Sequence, residues 1–263
     1  MTTPHPSAAN SPSESRSPAA QCWTSWLAGT TSRQQVEEDV VHVLLALANQ
    51  MAFVMTRHDS NGNEVLWPLL KGTTSEMPSG PLTDPDCTPQ ALGITFADVA
   101  DVELAVQAMR FHDYGVLGLL DVSAPSLDDD EGSAAWVSRS LHDLAHSQFL
   151  AEWSKYAGDA AAQAARRLLT LAELANARLI LEGANEAFFL NERKVGGLSF
   201  RQLALLSGMT EPSLRTLASR TTKTLGADQN GREPTGALRT VRHGNYAYIE
   251  IEDAQAFLKA RNR

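Results

Sequence analysis

Cysteine is scarce. Cys22 and Cys87 are the only two among 263 residues, too few for a disulfide framework and without the paired spacing of a metal knuckle. Long apolar runs are missing too: no stretch approaches the about 18–20 uninterrupted apolar residues of a membrane span. The first residues lack the charged-then-apolar pattern of a secretory signal. The expected setting is therefore a reducing cytoplasm, with no membrane partner. Catalytic signatures are also absent. No GxSxG elbow, Walker loop or GxGxxG occurs, so a non-enzyme without a cofactor is expected.

What is present is a chain of 43% apolar residues, long enough for one or two domains with a real core. Its net charge of -9 argues against whole-protein affinity for phosphate. The charge is unevenly spread, however. Residues 1–190 carry 10 Lys+Arg against 24 Asp+Glu, a balance of -14, whereas residues 191–263 carry 12 against 7, a balance of +5. A basic C-terminal unit on an acidic body points to a local anionic partner. The plain alternative is two solvated surfaces of different charge.

Residues 1–21 are dominated by Pro and Ser and lack large apolar side chains. Such a segment cannot offset its ordering entropy, so disorder is expected over residues 1–30. From Arg33 to Met55 the spacing of Val36, Val40, Val43, Leu44 and Leu47 predicts a helix. Asn61-Gly62, between the apolar stretches beginning at Phe53 and ending at Leu70, predicts a β-hairpin. Residues 71–93 read as a surface loop. Ala97 to Met109 reads as a helix, and Tyr114 to Val122 as either a buried strand or a helix end. SAPSLDDDEGS (123–133) reads as an acidic linker. Two long helices are predicted over Ala134–Tyr156 and Asp159–Leu190. In the second, Leu174, Ala177, Leu181, Ala184 and Phe188 recur at coiled-coil spacing, which fits either a short seam between chains or a core helix.

Metal chemistry has two footholds, both weak. Asp59, Asn61 and Asn63 start like a calcium loop, but Glu64 stands where glycine is needed and Leu70 where an acid is needed. His142 and His146 lie one turn apart in HDLAH, but Asp143 replaces the glutamate of a metalloprotease helix and no third ligand follows. No metal is expected.

The informative stretch is GGLSFRQLALLSGMTEPSLRTLASR, residues 196–220. Gly196-Gly197 reads as a break. Ser199 followed by Gln202 forms a capping box, predicting a helix over Phe200–Ser207 that buries Leu203 and Leu206. Gly208 ends it where a positive φ is required. Thr210 caps a second helix, whose first turn holds Glu211 and Pro212 and whose buried face holds Leu214 and Leu217. Ala204 is small where the two helices cross. LRTVRHGNYAYIEI (238–251) then predicts a β-hairpin turning at His243-Gly244-Asn245, and Asp253 to Arg261 a final helix burying Ala254, Phe257 and Leu258.

Residues 196–220 resemble the helix-turn-helix of phage repressors and related bacterial regulators, and the following hairpin resembles the wing of winged-helix and MerR-like regulators. The resemblance implies that the second helix enters the major groove of DNA. Thr210, Glu211, Ser213 and Thr216 would then face base edges, and Arg215 a guanine or a phosphate. It likewise implies phosphate contacts from Arg220 and Lys223, and from Arg201 and Gln202 on the first helix. Arg239 and Arg242 on the hairpin would reach a phosphate or the minor groove, with His243 near its tip.

The expected fold is mainly α: a disordered tail over 1–30, an acidic and mostly helical sensor or oligomerisation domain over 31–195 with a β-hairpin, and a winged helix-turn-helix over 196–263. The expected function is sequence-specific binding of double-stranded DNA as a transcriptional regulator. A homodimer is expected, because two copies double the bases read. The body would take a small-molecule effector or a protein partner. Two other readings stay open: a helix-turn-helix used as a protein-binding module, and a DNA-targeted protein with an activity in its acidic body.

Overall fold

The computed structural model describes residues 15–16, 31–55, 67–68, 70–71, 88–120, 133–157, 159–182, 197–225, 238–243 and 246–261. Those residues are mainly helical. In chain order they form β1 (Ser15–Arg16), α1 (Arg33–Met55), a 3-10 turn (Phe96–Asp98), α2 (Glu103–Gly115), β2 (Leu119–Leu120), α3 (Ser133–Ala145), α4 (Gln148–Ala157), α5 (Ala160–Leu181), β3 (Gly197–Leu198), α6 (Phe200–Ser207), α7 (Glu211–Leu225), β4 (Val241–His243), β5 (Tyr246–Glu250) and α8 (Ile251–Arg261). Among the described residues no helix is long and apolar enough to cross a membrane.

The core is built around α5. Fifteen of its 22 residues are buried, so it presents apolar surface on most sides, as a helix enclosed by others must. It packs against α1, α2, α3 and α4, and also against β3, α6 and α8. Its many alanines let neighbours approach closely. A Cβ added to Gly115 of α2 would stand 3.1 Å from the Ala175 backbone nitrogen.

Polar contacts fix the register of these helices. Asp39 of α1 is fully buried and accepts from Arg167 of α5 at both ends of a fork, Nε to Oδ2 at 2.8 Å and Nη2 to Oδ1 at 2.6 Å. Two parallel charge-assisted bonds hold both distance and angle. Arg178, also buried, donates through Nη1 to the carbonyls of Tyr114 and Gly115 at 2.7 and 3.1 Å. It thereby satisfies carbonyls at the buried C-terminal end of α2, as a basic residue near a helix C-terminus does. Burial lowers the Arg178 pKa. It raises that of Tyr114, whose hydroxyl donates to Glu182 at 2.8 Å. Gln255 of α8 donates to the Leu181 carbonyl at 2.7 Å and so caps α5 from the C-terminal unit.

Several expectations need correction. Phe53 to Met55 continue α1, and Trp67, Pro68, Leu70 and Lys71 are helical, so the described flanks of Asn61-Gly62 are not strands. That turn itself lies outside the described residues, as do the calcium-like positions 59–64. The predicted helix from Ala97 begins only at Glu103. Thr95 and Asp98 close a capping box around a 3-10 turn first, Asp98 accepting from the Thr95 amide at 2.7 Å. The helix then runs on to Gly115. Leu119–Leu120 take the strand reading, after Gly118 at φ +68° has broken the helix. The single helix predicted over Ala134–Tyr156 is two. Ser147 separates them, its hydroxyl accepting the Leu150 amide at 3.2 Å, a local bond that competes with helix continuation.

In α5, Leu174, Ala177 and Leu181 are buried inside their own chain, which selects the core-helix reading for these positions; Ala184 and Phe188 lie outside the described residues. In the tail, Ser15–Arg16 pair antiparallel with Leu119–Leu120. Backbone hydrogen bonding needs no apolar side chains, so composition did not reveal this pairing.

A three-stranded antiparallel sheet follows, in the order β3-β5-β4. The predicted hairpin supplies β4 and β5, with Val241 opposite Tyr248 and His243 opposite Tyr246. The third strand was unforeseen: Gly197-Leu198, half of it assigned to a break, pairs with Glu250 and Ile249. Glycine serves here through its missing side chain. A Cβ at Gly197 would come within 2.4 Å of the Ile249 carbonyl oxygen.

Candidate nucleic-acid interface

The α6–turn–α7 unit is assembled by local chemistry. The Ser199 hydroxyl accepts the Gln202 amide at 3.2 Å, while the Gln202 side chain accepts the Ser199 amide at 2.8 Å. This reciprocal box satisfies two of the amides that a helix start leaves unpaired. Gly208 ends α6 at φ +66°, and its amide donates to the Ala204 carbonyl at 2.9 Å. Thr210 opens α7, its hydroxyl 2.8 Å from that of Ser213 and accepting the Ser213 amide at 3.4 Å.

Both helices bury one face. Leu203, Leu206 and Leu214 are essentially inaccessible, and Phe200 and Ala218 are buried beside them. At ~25 cal/mol per Å² of apolar surface, each such leucine contributes about 1.5–3 kcal/mol. That burial, rather than helix propensity, holds an eight-residue helix in place. The opposite face of α7 is open: Pro212, Ser213, Arg215, Thr216 and Ser219 are exposed and Glu211 is half-buried. Thr210, Glu211, Ser213, Arg215 and Thr216 are therefore brought together over the first two turns of one helix.

The same residues are already engaged with one another. Arg215 donates to Glu211 Oε1 from Nε at 3.0 Å and from Nη2 at 2.6 Å. Its guanidinium also sits 4.7 Å from the Phe200 ring centroid, within cation–π range. Thr216 donates to the Pro212 carbonyl at 2.9 Å, so its hydroxyl is folded onto its own helix. Gln202 is committed to the capping box. Arg201 turns to α5, where Nε lies 2.8 and 2.9 Å from the two carboxylate oxygens of Glu173. That pairing raises the Arg201 pKa.

Arg220 and Lys223 belong to α7 by backbone, and their side chains lie outside the described residues. Arg239 precedes β4 and Arg242 lies within it; both are exposed. Arg242 stands opposite Ala247 of β5. The hairpin connects to α6 through the sheet, because α6 packs against both β3 and β5. His243 is the last residue of β4, and Gly244 and Asn245 lie outside the described residues.

Sequence reasoning missed three participants. Glu173 and Phe200 decide where Arg201 and Arg215 point, and β3 anchors the sheet. No periodic pattern reports such contacts, since Glu173 lies 28 residues from Arg201. The other candidates are simpler. His142 and His146 stack with ring centroids 4.5 Å apart, and His146 Nδ1 lies 2.8 Å from the His142 carbonyl. That contact spends one ring nitrogen on the backbone. His112, which with the adjacent Asp113 reads in the sequence as an orienting pair with no nucleophile beside it, is buried, with Nδ1 3.0 Å from Asp113. Among the described residues no group of three or more His, Cys, Asp or Glu is placed to hold a metal ion.

Set against known proteins, the chain matches no family model, no curated protein and no solved structure.

Proposed function

We propose that this chain is a sequence-specific double-stranded DNA-binding protein, a transcriptional regulator, reading the major groove with α7 of a winged helix-turn-helix. One observation carries the reading. Two short helices are joined through a left-handed glycine, and the second presents an open face of Thr210, Ser213, Arg215 and Thr216. Supporting it, a strand precedes the pair and a hairpin follows, all in one sheet, and the C-terminal 73 residues carry the chain's excess of basic charge.

On DNA, Ser213 and Thr216 meet base edges, and Glu211 accepts from a cytosine amino group. Arg215 exchanges Glu211 for guanine or phosphate. The exchange is inexpensive, because an exposed ion pair one turn apart contributes only about 0–1 kcal/mol. Arg220, Lys223, Arg239 and Arg242 serve the backbone, and Arg201 would join them to set register only on leaving Glu173. The acidic body brings two copies together and receives an effector or protein partner.

The test is retention of randomised duplex DNA across a salt series, followed by sequencing of the bound fragments. An enriched motif with affinity falling steeply in salt supports the reading, and a palindrome with half-sites about 10 base pairs apart adds the dimer. Charge reversal at Arg215 and Arg220 should abolish that retention. The second reading, a protein-binding module, is favoured by the engagement of Arg201 and Arg215 with Glu173 and Glu211, which mutes the positive surface. Absence of DNA retention at every salt concentration selects it.

A further inference from the structure

A cleft of about 460 Å³ opens between α5 and the α6–turn–α7 unit. Its volume falls within the range of small-molecule sites, about 300–1,000 Å³. Its lining divides by chemistry. Leu171 and Leu174 from α5, Val116 from the end of α2, and Leu205 and Met209 from α6 and the turn supply apolar surface. Arg167 and Arg201 also line it, one from α5 and one from α6.

Both guanidiniums are held by a carboxylate through two bonds. Arg167 spends Nε and Nη2 on Asp39, and Arg201 spends Nε and Nη2 on Glu173. In each case Nη1 has no hydrogen-bond partner among the described residues. Among the described residues Glu211 contributes the lining's one carboxylate, and Arg215 already donates to it. Apolar surface bracketed by two pre-oriented arginines with unused donors is complementary to one ligand chemistry, an apolar body carrying an anionic head.

We propose that this cleft binds an amphipathic organic anion, its carboxylate or comparable head taken by Arg167 and Arg201 and its apolar part by Leu171, Leu174, Leu205 and Met209. The placement also gives the site a consequence. The ligand would touch α5, the Gly208-Met209 turn and Glu211 at the start of α7, so its occupancy would bias how the two-helix unit sits on the body. That coupling rests on the DNA-binding reading; the binding site itself does not.

The full-length protein is titrated, without DNA, with 1-anilinonaphthalene-8-sulfonate, a fluorescent amphipathic anion. Displacement is then compared for decanoate and for decyltrimethylammonium, which pairs a similar tail with a cationic head. One saturable site per chain is expected, displaced by decanoate at least about tenfold more effectively than by the cation, the scale of one charge-assisted contact. Arg201→Gln should weaken the probe about tenfold or more. Thr170→Trp, which fills the cleft from an exposed position, should abolish saturable binding while the circular dichroism and melting temperature stay unchanged. Non-saturable fluorescence, equal displacement by the cation, or full binding by the folded Thr170→Trp protein each overturns the proposal. DNA retention with and without decanoate is measured separately. Probe binding without DNA retention leaves the site standing and removes only the DNA reading, and the reverse result removes only the site.

Discussion

Arg201 of α6 and Glu173 of α5 form a two-pronged ion pair across the junction between the helical body and the α6–α7 unit, with Arg201 Nε 2.8 Å from Glu173 Oε2. The carboxylate is largely covered, while the arginine is 58% exposed. The pair therefore ties two parts of the molecule together at little net stabilisation, and it holds the Arg201 guanidinium against α5.

Glu173→Gln should release Arg201. The expected result is unchanged melting within about 0.5 kcal/mol, DNA binding a few-fold tighter at low salt, and a log K versus log salt slope steeper by about 1, the signature of one added phosphate contact. Fluorescence anisotropy with a labelled duplex at several salt concentrations reads all of this. An unchanged slope would mean that Arg201 stays on the body even without its partner.

Gly197→Val should loosen the sheet. Its Cβ would meet the Ile249 carbonyl at 2.4 Å and the Tyr248 ring at 2.6 Å, so β3 must leave β5 or the hairpin must shift. Overpacking of this kind costs about 1–3 kcal/mol. Urea unfolding should show the loss, and hydrogen exchange should speed up first in β5. A variant as stable as wild type would contradict the close strand approach at this glycine.

Within α7, Leu214→Ala and Thr216→Ala should separate folding from reading. Leu214 is fully buried, so its truncation should cost about 2–5 kcal/mol. Thr216 is exposed and its hydroxyl donates back to the Pro212 carbonyl, so its loss should leave stability within about 0.5 kcal/mol. Selection of randomised duplexes should then show an altered preference at one base position for Thr216→Ala. Identical motifs from that variant and wild type would remove Thr216 from the reading face.

His42 gives stability a pH dependence. Burial lowers its pKa below 6.5, against the pull of Asp39 and Glu38, while Arg167 adds to the lowering. On acidification the unfolded chain takes up its proton first, near pH 6.5. Stability is thus intact above that value and falls as pH drops toward the lower folded pKa. Between pH 7.5 and 5.5 the wild type should lose more stability than His42→Gln, measured as urea midpoints. Parallel curves for the two proteins would refute a lowered pKa for the half-buried His42.

The boundaries of α6 and the start of α7 were legible because their signals are local. Ser199, Gln202, Gly208 and Thr210 act on neighbours three or four residues away, through bonds that any chain with those residues can make. The leucines between them repeat at helical spacing. The pairing of β4 with β5 was legible too, while Gly244 and Asn245 of the predicted turn lie outside the described residues. The helix expected over Arg33–Met55 is found with those bounds, whereas the strands expected to flank Asn61-Gly62 and the single helix expected over 134–156 lost to other local signals. The apolar Phe53–Met55 segment prolonged α1 rather than starting a strand, and the Ser147 hydroxyl split one helix into two.

By itself, then, the sequence determined the helices with strong periodicity and caps, the C-terminal concentration of basic charge, and the candidate reading face on α7. These depend on short-range bonds and on composition, which survive without knowledge of the fold. Only the tertiary structure decided that Leu174, Ala177 and Leu181 pack within their own chain, that Gly197 lies in a strand, that Arg201 answers to Glu173 and Arg215 to Phe200, and that Arg167 and Arg201 share a cleft. Each of those joins residues distant in sequence. Their meeting depends on how α5 is enclosed by its neighbours, a result of collective packing that no local pattern encodes.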